Sequence, residues 1–120
     1  MVFTSGDIIT DDIGSGYDVV WISQLLHSEG PQGAATMLGK AVQALDAGGL
    51  VLVQEFILDD NQASPPFPAL FSLNMLIGTP GGQSYSQGEL ADMMREAGLR
   101  DIKRLKLELP NGAGIMTGIV

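Results

Sequence analysis

Two short apolar runs separated by one stretch of helical periodicity constrain this chain more than any other feature. Residues 17–22 (YDVVWI) follow Gly14, Ser15 and Gly16 and read as a buried strand. Residues 50–57 (LVLVQEFI) follow Gly48 and Gly49 and precede Asp59, Asp60 and Asn61. Their near-continuous apolar character predicts a strand buried on both faces, as in a parallel sheet. Between the two, residues 31–47 place Ala34, Leu38, Ala41, Val42 and Leu45 on one helical face, with Lys40, Gln43 and Asp46 off it. Pro31 suits the first turn of that helix and Gly48 the position just past its end. Strand, helix, strand at this spacing is a βαβ unit with a right-handed crossover.

The rest of the chain extends the pattern. Residues 65–68 (PPFP) read as a link, and residues 69–77 as a helix buried nearly all round. Residues 79–82 (TPGG) form a turn. Ser86, with Glu89 three residues on, is a capping box opening a helix whose inner face is Leu90, Met93, Met94 and Ala97 and whose end is Gly98. Residues 102–109 read as a strand with one wet face. A turn follows at residues 110–112 (PNG), then a last strand at 114–120, antiparallel to its predecessor. The expected fold is α/β: a mixed four-stranded sheet with a C-terminal antiparallel hairpin and flanking helices.

At 120 residues the chain holds one domain. Six basic against fourteen acidic residues give a net charge of −8, with no basic patch, which argues against a nucleic-acid partner. With no cysteine there is no disulfide, no Cys-ligated metal and no thiol nucleophile, and the expected metal is none. The longest apolar stretch, residues 67–77, is interrupted by Pro68, Ser72 and Asn74, so no membrane association is expected. No basic segment followed by a hydrophobic run opens the chain, and the expected location is cytoplasmic.

His27, the single histidine, follows the first strand at the carboxyl end, where α/β sheets bind ligands. An imidazole is the side chain best suited to accept a proton near neutrality. On position alone, a surface histidine preceding a helix is the plainer reading. Glu55 ends the second strand and belongs at the same sheet edge; a side chain that simply leaves the sheet into water is the other reading. Asp7 sits in a Gly-Asp pair common in turns, and Met75 at a position suited to core packing.

Four stretches, taken together, resemble the S-adenosylmethionine-dependent O-methyltransferases acting on small hydroxylated aromatics, the caffeic acid, hydroxyindole and polyketide methyltransferases. These are Gly6-Asp7-Ile8; Asp18-Val19-Val20 through Leu26-His27; Ala47-Gly48-Gly49 through Gln54-Glu55; and Asn74-Met75-Leu76 with Pro80-Gly81-Gly82. The match covers nearly all of the chain. It implies a partial Rossmann-like methyltransferase fold, with residues 1–120 as the C-terminal portion of the catalytic domain. The strands and glycine-rich loop that grip the cofactor would lie upstream, so the chain alone is expected to be inactive. The resemblance makes His27 the base and Glu55 the carboxylate that orients it. It assigns Gly6, Asp7, Ile8 and Ser23 to the S-adenosylmethionine side, Ser23 standing where some relatives carry a lysine. It assigns Met75 and Thr79 to the wall of a phenol pocket. Ser28 and Ser84 stand where relatives often carry acids. It implies a small aromatic substrate and a homodimeric parent. An exposed strand edge would let the fragment self-associate. A non-catalytic binding or structural module that keeps the fold is the alternative function. A dehydrogenase-like or response-regulator-like module lacks support, for want of a G-x-G-x-x-G fingerprint or a phosphoacceptor Asp.

Overall fold

The computed structural model describes residues 5–58, 66–78, 82–107, 109–110 and 113–120. The elements run β1 (Tyr17–Ser23), a 3-10 turn (Leu26–Ser28), α1 (Pro31–Ala44), β2 (Leu45–Phe56), α2 (Pro66–Gly78), α3 (Gln87–Glu96), β3 (Arg100–Arg104) and β4 (Ala113–Ile119). The sheet order is β1-β2-β4-β3. β1 is parallel to β2, and β4 is antiparallel to both of its neighbours. The mixed four-stranded sheet and the βαβ opening are those expected from the sequence.

Alternation along β2 puts Val51, Val53 and Glu55 on one face. Register brings Val20 and Ile22 of β1 and Met116 of β4 to that face. Over it pack Met37, Leu38 and Ala41 of α1 and Leu90 and Met94 of α3, all buried. The opposite face of β1 is bare: Tyr17, Val19 and Trp21 are 45%, 53% and 61% exposed. The expected buried strand is therefore an edge strand covered on one side only.

Several boundaries differ from expectation for identifiable reasons. α1 stops at Ala44, because Leu45 turns into the sheet, pairs with Tyr17 and is buried there. Residues 46–49 then form an irregularity in β2 before Leu50 pairs with Val19, and Gly48 takes φ +81° inside it instead of capping the helix. α2 begins at Pro66, so part of the PPFP run is helix; a proline in the first turn gives up no intrahelical bond. That helix is not buried all round, since Leu70 and Leu73 are 66% and 58% exposed. β3 spans Arg100–Arg104 rather than 102–109. Asp101, at φ +53°, sits where its register against β4 shifts, and Leu107 stands exposed beyond its end. The expected turn residues 79–81 and 111–112 lie outside the described residues.

The capping box of α3 is present in both halves. Ser86 Oγ accepts from the Glu89 N–H at 3.1 Å, and Glu89 Oε1 accepts from the Ser86 N–H at 2.9 Å. Gly98, at φ +100°, follows the helix end. Ser86→Ala is expected to lower unfolding stability by about 1 kcal/mol, read as a lower urea midpoint with an unchanged denaturant slope.

Candidate active site

The carboxyl ends of β1 and β2 lie side by side, Ser23 opposite Gln54. The ladder continues for one bond past Ser23, the Gln24 N–H donating to the Gln54 carbonyl at 2.8 Å. Gln24 then takes φ +53°, a left-handed conformation that costs a non-glycine residue of order 1 kcal/mol. It turns the chain into the 3-10 turn, tied by Ser28 Oγ donating to the Leu25 carbonyl at 2.7 Å. That turn brings His27 back over the end of β2.

There Glu55 continues the buried stripe begun by Val51 and Val53. It is 2% exposed, so the reading in which its side chain leaves into water does not hold. Its Oε2 lies 2.8 Å from His27 Nδ1, and its Oε1 accepts from the His27 backbone N–H at 3.3 Å. Both carboxylate oxygens thus serve one residue. A carboxylate in this position favours the tautomer with the proton on Nδ1, which leaves the Nε2 lone pair to accept another. The His27 side chain keeps 15% of its surface. Its ring meets Phe71 of α2 edge to face, with centroids 4.8 Å apart and planes at 88°. Phe71 in turn meets Phe56 of β2 at 4.9 Å.

Met75 lies one turn beyond Phe71 on α2 and is half-buried; its i+4 spacing puts it on the same side of the helix. Thr79 lies outside the described residues. Ser23 is exposed at the end of β1. Gly6, Asp7 and Ile8 line a cavity of about 540 Å³ with Ser5, Asp11, Asp12, Ile13, Gly14 and Tyr17. Tyr17 opens β1 and His27 follows its end, so this cavity and the dyad belong to opposite ends of a strand roughly 20 Å long. Neither His27 nor Glu55 is among the cavity's lining residues.

Among the described residues, the cavity lining carries three carboxylates, two isoleucines and a tyrosine, and no cation. Asp7 Oδ1 is engaged by the Ile9 N–H, Asp12 Oδ1 by the Gly14 N–H and Asp11 Oδ2 by the Asp7 N–H. This donor set suits a ligand with positive charge, hydroxyl or amino donors and a flat apolar ring. It is unsuited to a polyphosphate. Asp7 and Ile8, which the resemblance puts on the cofactor side, thus lie in a cleft at the end of β1 remote from His27 and Glu55.

Sequence reasoning missed Gln24, Phe71 and Tyr85. Among the described residues, the buried Gln24 side-chain Oε1 and Ser84 hydroxyl find no hydrogen-bond partner. Tyr85 is 2% exposed, and its hydroxyl donates to the Glu29 carbonyl at 2.6 Å. Burial, then the carboxylates of Glu89, Glu55 and Glu29, push its phenol up from 10.0 to about 12. The Ser84-Tyr85-Ser86 run carried no chemical signal beyond the cap.

Residues 1–100 match the family of O-methyltransferase domains. A 3-hydroxy-5-methyl-1-naphthoate 3-O-methyltransferase of Streptomyces sahachiroi is 33% identical over 115 residues, covering 96% of this chain and 33% of that protein. The tetracenomycin polyketide synthesis 8-O-methyl transferase TcmO of Streptomyces glaucescens is 31% identical, covering 94% and 33%. Among solved structures, PigF with SAH superposes with a TM-score of 0.86 at 33% identity, over 96% of this chain and 34% of that one. Human N-acetylserotonin methyltransferase in complex with SAM gives 0.85 at 26% identity, over 98% and 33%. The chain spans about a third of the length of these relatives.

The raised Tyr85 phenol has a consequence for stability at alkaline pH. The unfolded chain loses that proton near 10.0, whereas the folded chain holds it to about 12. Stability is therefore unaffected by this group below 10 and falls as pH rises through the window, by about 2–3 kcal/mol in all. Tyr85→Phe is expected to cost about 1 kcal/mol at neutral pH and to remove that alkaline loss. Urea unfolding of both proteins at several pH values from neutrality upward checks it.

Proposed function

This chain belongs to the O-methyltransferase domain family, and we propose that it carries the proton-accepting part of a methyl-transfer site, with His27 as the general base. The observation that supports this most is the buried Glu55 carboxylate, both of whose oxygens engage His27. A carboxylate that holds Nδ1–H leaves Nε2 to take the proton of an acceptor hydroxyl as that oxygen gains its methyl group. S-adenosylmethionine supplies the methyl on a sulfonium with neutral sulfur as the leaving group, so the protein need not protonate what departs. The tasks of this chain are to hold the acceptor, remove its proton and keep the imidazole aligned.

Phe71 packs edge to face on the imidazole and Phe56 packs on Phe71, an aromatic pair beside the base, with Met75 one turn further along α2. Such surroundings suit a flat ring better than an aliphatic alcohol. The two Streptomyces relatives are named for a naphthoate and for a tetracenomycin polyketide. A small or fused-ring hydroxylated aromatic is accordingly the acceptor class we assign, Thr79 being a further member of its pocket by resemblance. Asp7 and Ile8, with Gly6 and Ser23, are assigned to the cofactor. Because the carboxylates of their cleft are exposed to water, S-adenosylmethionine is expected to bind this chain alone more weakly than micromolar, about −8 kcal/mol. Calorimetric titration decides that.

His27→Ala, in the protein that carries this chain, is expected to slow single-turnover methyl transfer by roughly 10²–10⁴-fold with little change in cofactor affinity. Glu55→Gln should cost less, because the imidazole remains. A His27→Ala variant that keeps the rate and its pH profile would leave the fold as a binding module without His27 chemistry.

Two associations complete the reading. The bare face and free edge of β1, with Val19 and Trp21 more than half exposed, suit pairing with a second copy. The charge of −8 opposes this only modestly at physiological salt. Sedimentation is expected to show a concentration-dependent dimer; a monomer at millimolar concentration with a protected β1 edge would count against it. We take the longer protein to be a homodimer as well. Among the described residues no helix is long and apolar enough to cross a membrane, and the cytoplasm is the location we assign.

A further inference from the structure

We infer that Tyr85 is a positioning residue whose hydroxyl fixes the turn that aims the His27 imidazole. The inference rests on His27 being the proton acceptor.

Residues 83–87 form a strap between two parts of the site. Along one edge, the Leu58 N–H donates to the Tyr85 carbonyl at 2.9 Å, and the Gln87 N–H donates to the Leu58 carbonyl at 3.0 Å. That edge is anchored just past the end of β2, three residues after Glu55. Along the other, the Gln83 N–H donates to the His27 carbonyl at 2.9 Å, and the Tyr85 hydroxyl donates to the Glu29 carbonyl at 2.6 Å. A closed circuit results: His27 to Glu55 by hydrogen bonds, Glu55 to Leu58 along the chain, Leu58 to Tyr85, Tyr85 to Glu29, and Glu29 back to His27.

The side-chain links of that circuit are the Tyr85 phenol and the His27–Glu55 pair. Tyr85 belongs to the buried core with Leu90 and Met94 of α3, so its ring is held by packing as well as by its hydroxyl. It therefore ties the Glu29 end of the turn to the core. The turn's own bonds run from the Ser28 N–H and Oγ to the Leu25 carbonyl and from the Glu29 N–H to the Leu26 carbonyl, and the buried Leu26 anchors its start. Without the hydroxyl, the turn keeps its internal bonds, the buried Leu26, the Gln83 bond and Glu55, but the Glu29 carbonyl loses its tie to the core and the exit of the turn is freer to move.

The test uses the 120-residue chain with labelled histidine. Since His27 is the single histidine, every imidazole signal is its own. Tyr85→Phe keeps the ring and removes only the hydroxyl. The control is Thr117→Val, which removes another buried hydroxyl, bonded to the Lys103 carbonyl on β3. In Tyr85→Phe the ring nitrogen shifts are expected to move from one tautomer toward an average of two, and the His27 amide to exchange roughly fivefold faster, as loss of one hydrogen bond allows. Thr117→Val should leave both unchanged. Wild-type ring shifts and exchange in Tyr85→Phe overturn the inference, and so does an equal response in Thr117→Val.

Should Tyr85→Phe not fold, the wild-type chain decides. The amides of His27, Gln83 and Leu58 must exchange as one cooperative group; unrelated rates overturn the circuit. In the protein that carries this chain, Tyr85→Phe should lower kcat with KM unchanged. If His27→Ala keeps its rate, the base reading fails while the tautomer measurement still reports whether Tyr85 positions the ring.

Discussion

Both oxygens of Glu55 are spent on His27, one on the imidazole and one on the backbone of the same residue. A carboxylate at 2% exposure is tolerated only when it is fully paired, so the rest of the site is arranged to deliver a partner to it. β1 runs parallel to β2 and ends beside it. Gln24 accepts a left-handed backbone to reverse the chain, and the 3-10 turn presents two donors of one residue to one carboxylate. Remove either member and a buried polar group is stranded, which costs more than the bond itself was worth.

The same pairing explains why the site sits where it does. Glu55 occupies the core face of β2, two positions on from Val53, rather than the wetter face of Gln54 and Phe56. The face that excludes water fixes the charge, and Phe71 closes over the imidazole from α2. Orientation comes from the sheet and surroundings from a helix, two elements that meet at this edge.

Much of this was legible in the chain. Apolar runs and the helical stretch between them gave the βαβ unit, and Ser86 with Glu89 gave the cap, because each signal is local. His27 and Glu55 could be placed at neighbouring strand ends by topology alone. Where local signals misled, tertiary packing had overridden them. Gly48 looked like a helix end, but Leu45 gains more by entering the sheet. Apolar residues 69–77 looked buried all round, yet Leu70 and Leu73 face outward. Tyr85 could not be foreseen, since its partner Glu29 lies 56 residues away and nothing in the local sequence points to it. Positive φ at Gln24 and Asp101 was equally hidden, because neither is glycine.

The uncovered face of β1 ties surface occupancy to order at the dyad. Val19 and Trp21 alternate with Val20 and Ile22 on the strand whose far end launches the His27 turn. Anything that settles on that face and favours the native strand over its frayed form adds its binding free energy to the stability of the whole ladder, in proportion to the logarithm of its concentration over its dissociation constant. Order at the imidazole is then a property of the molecule together with its surroundings. A companion that never touches His27 can sharpen or loosen the alignment of the base through β1 alone.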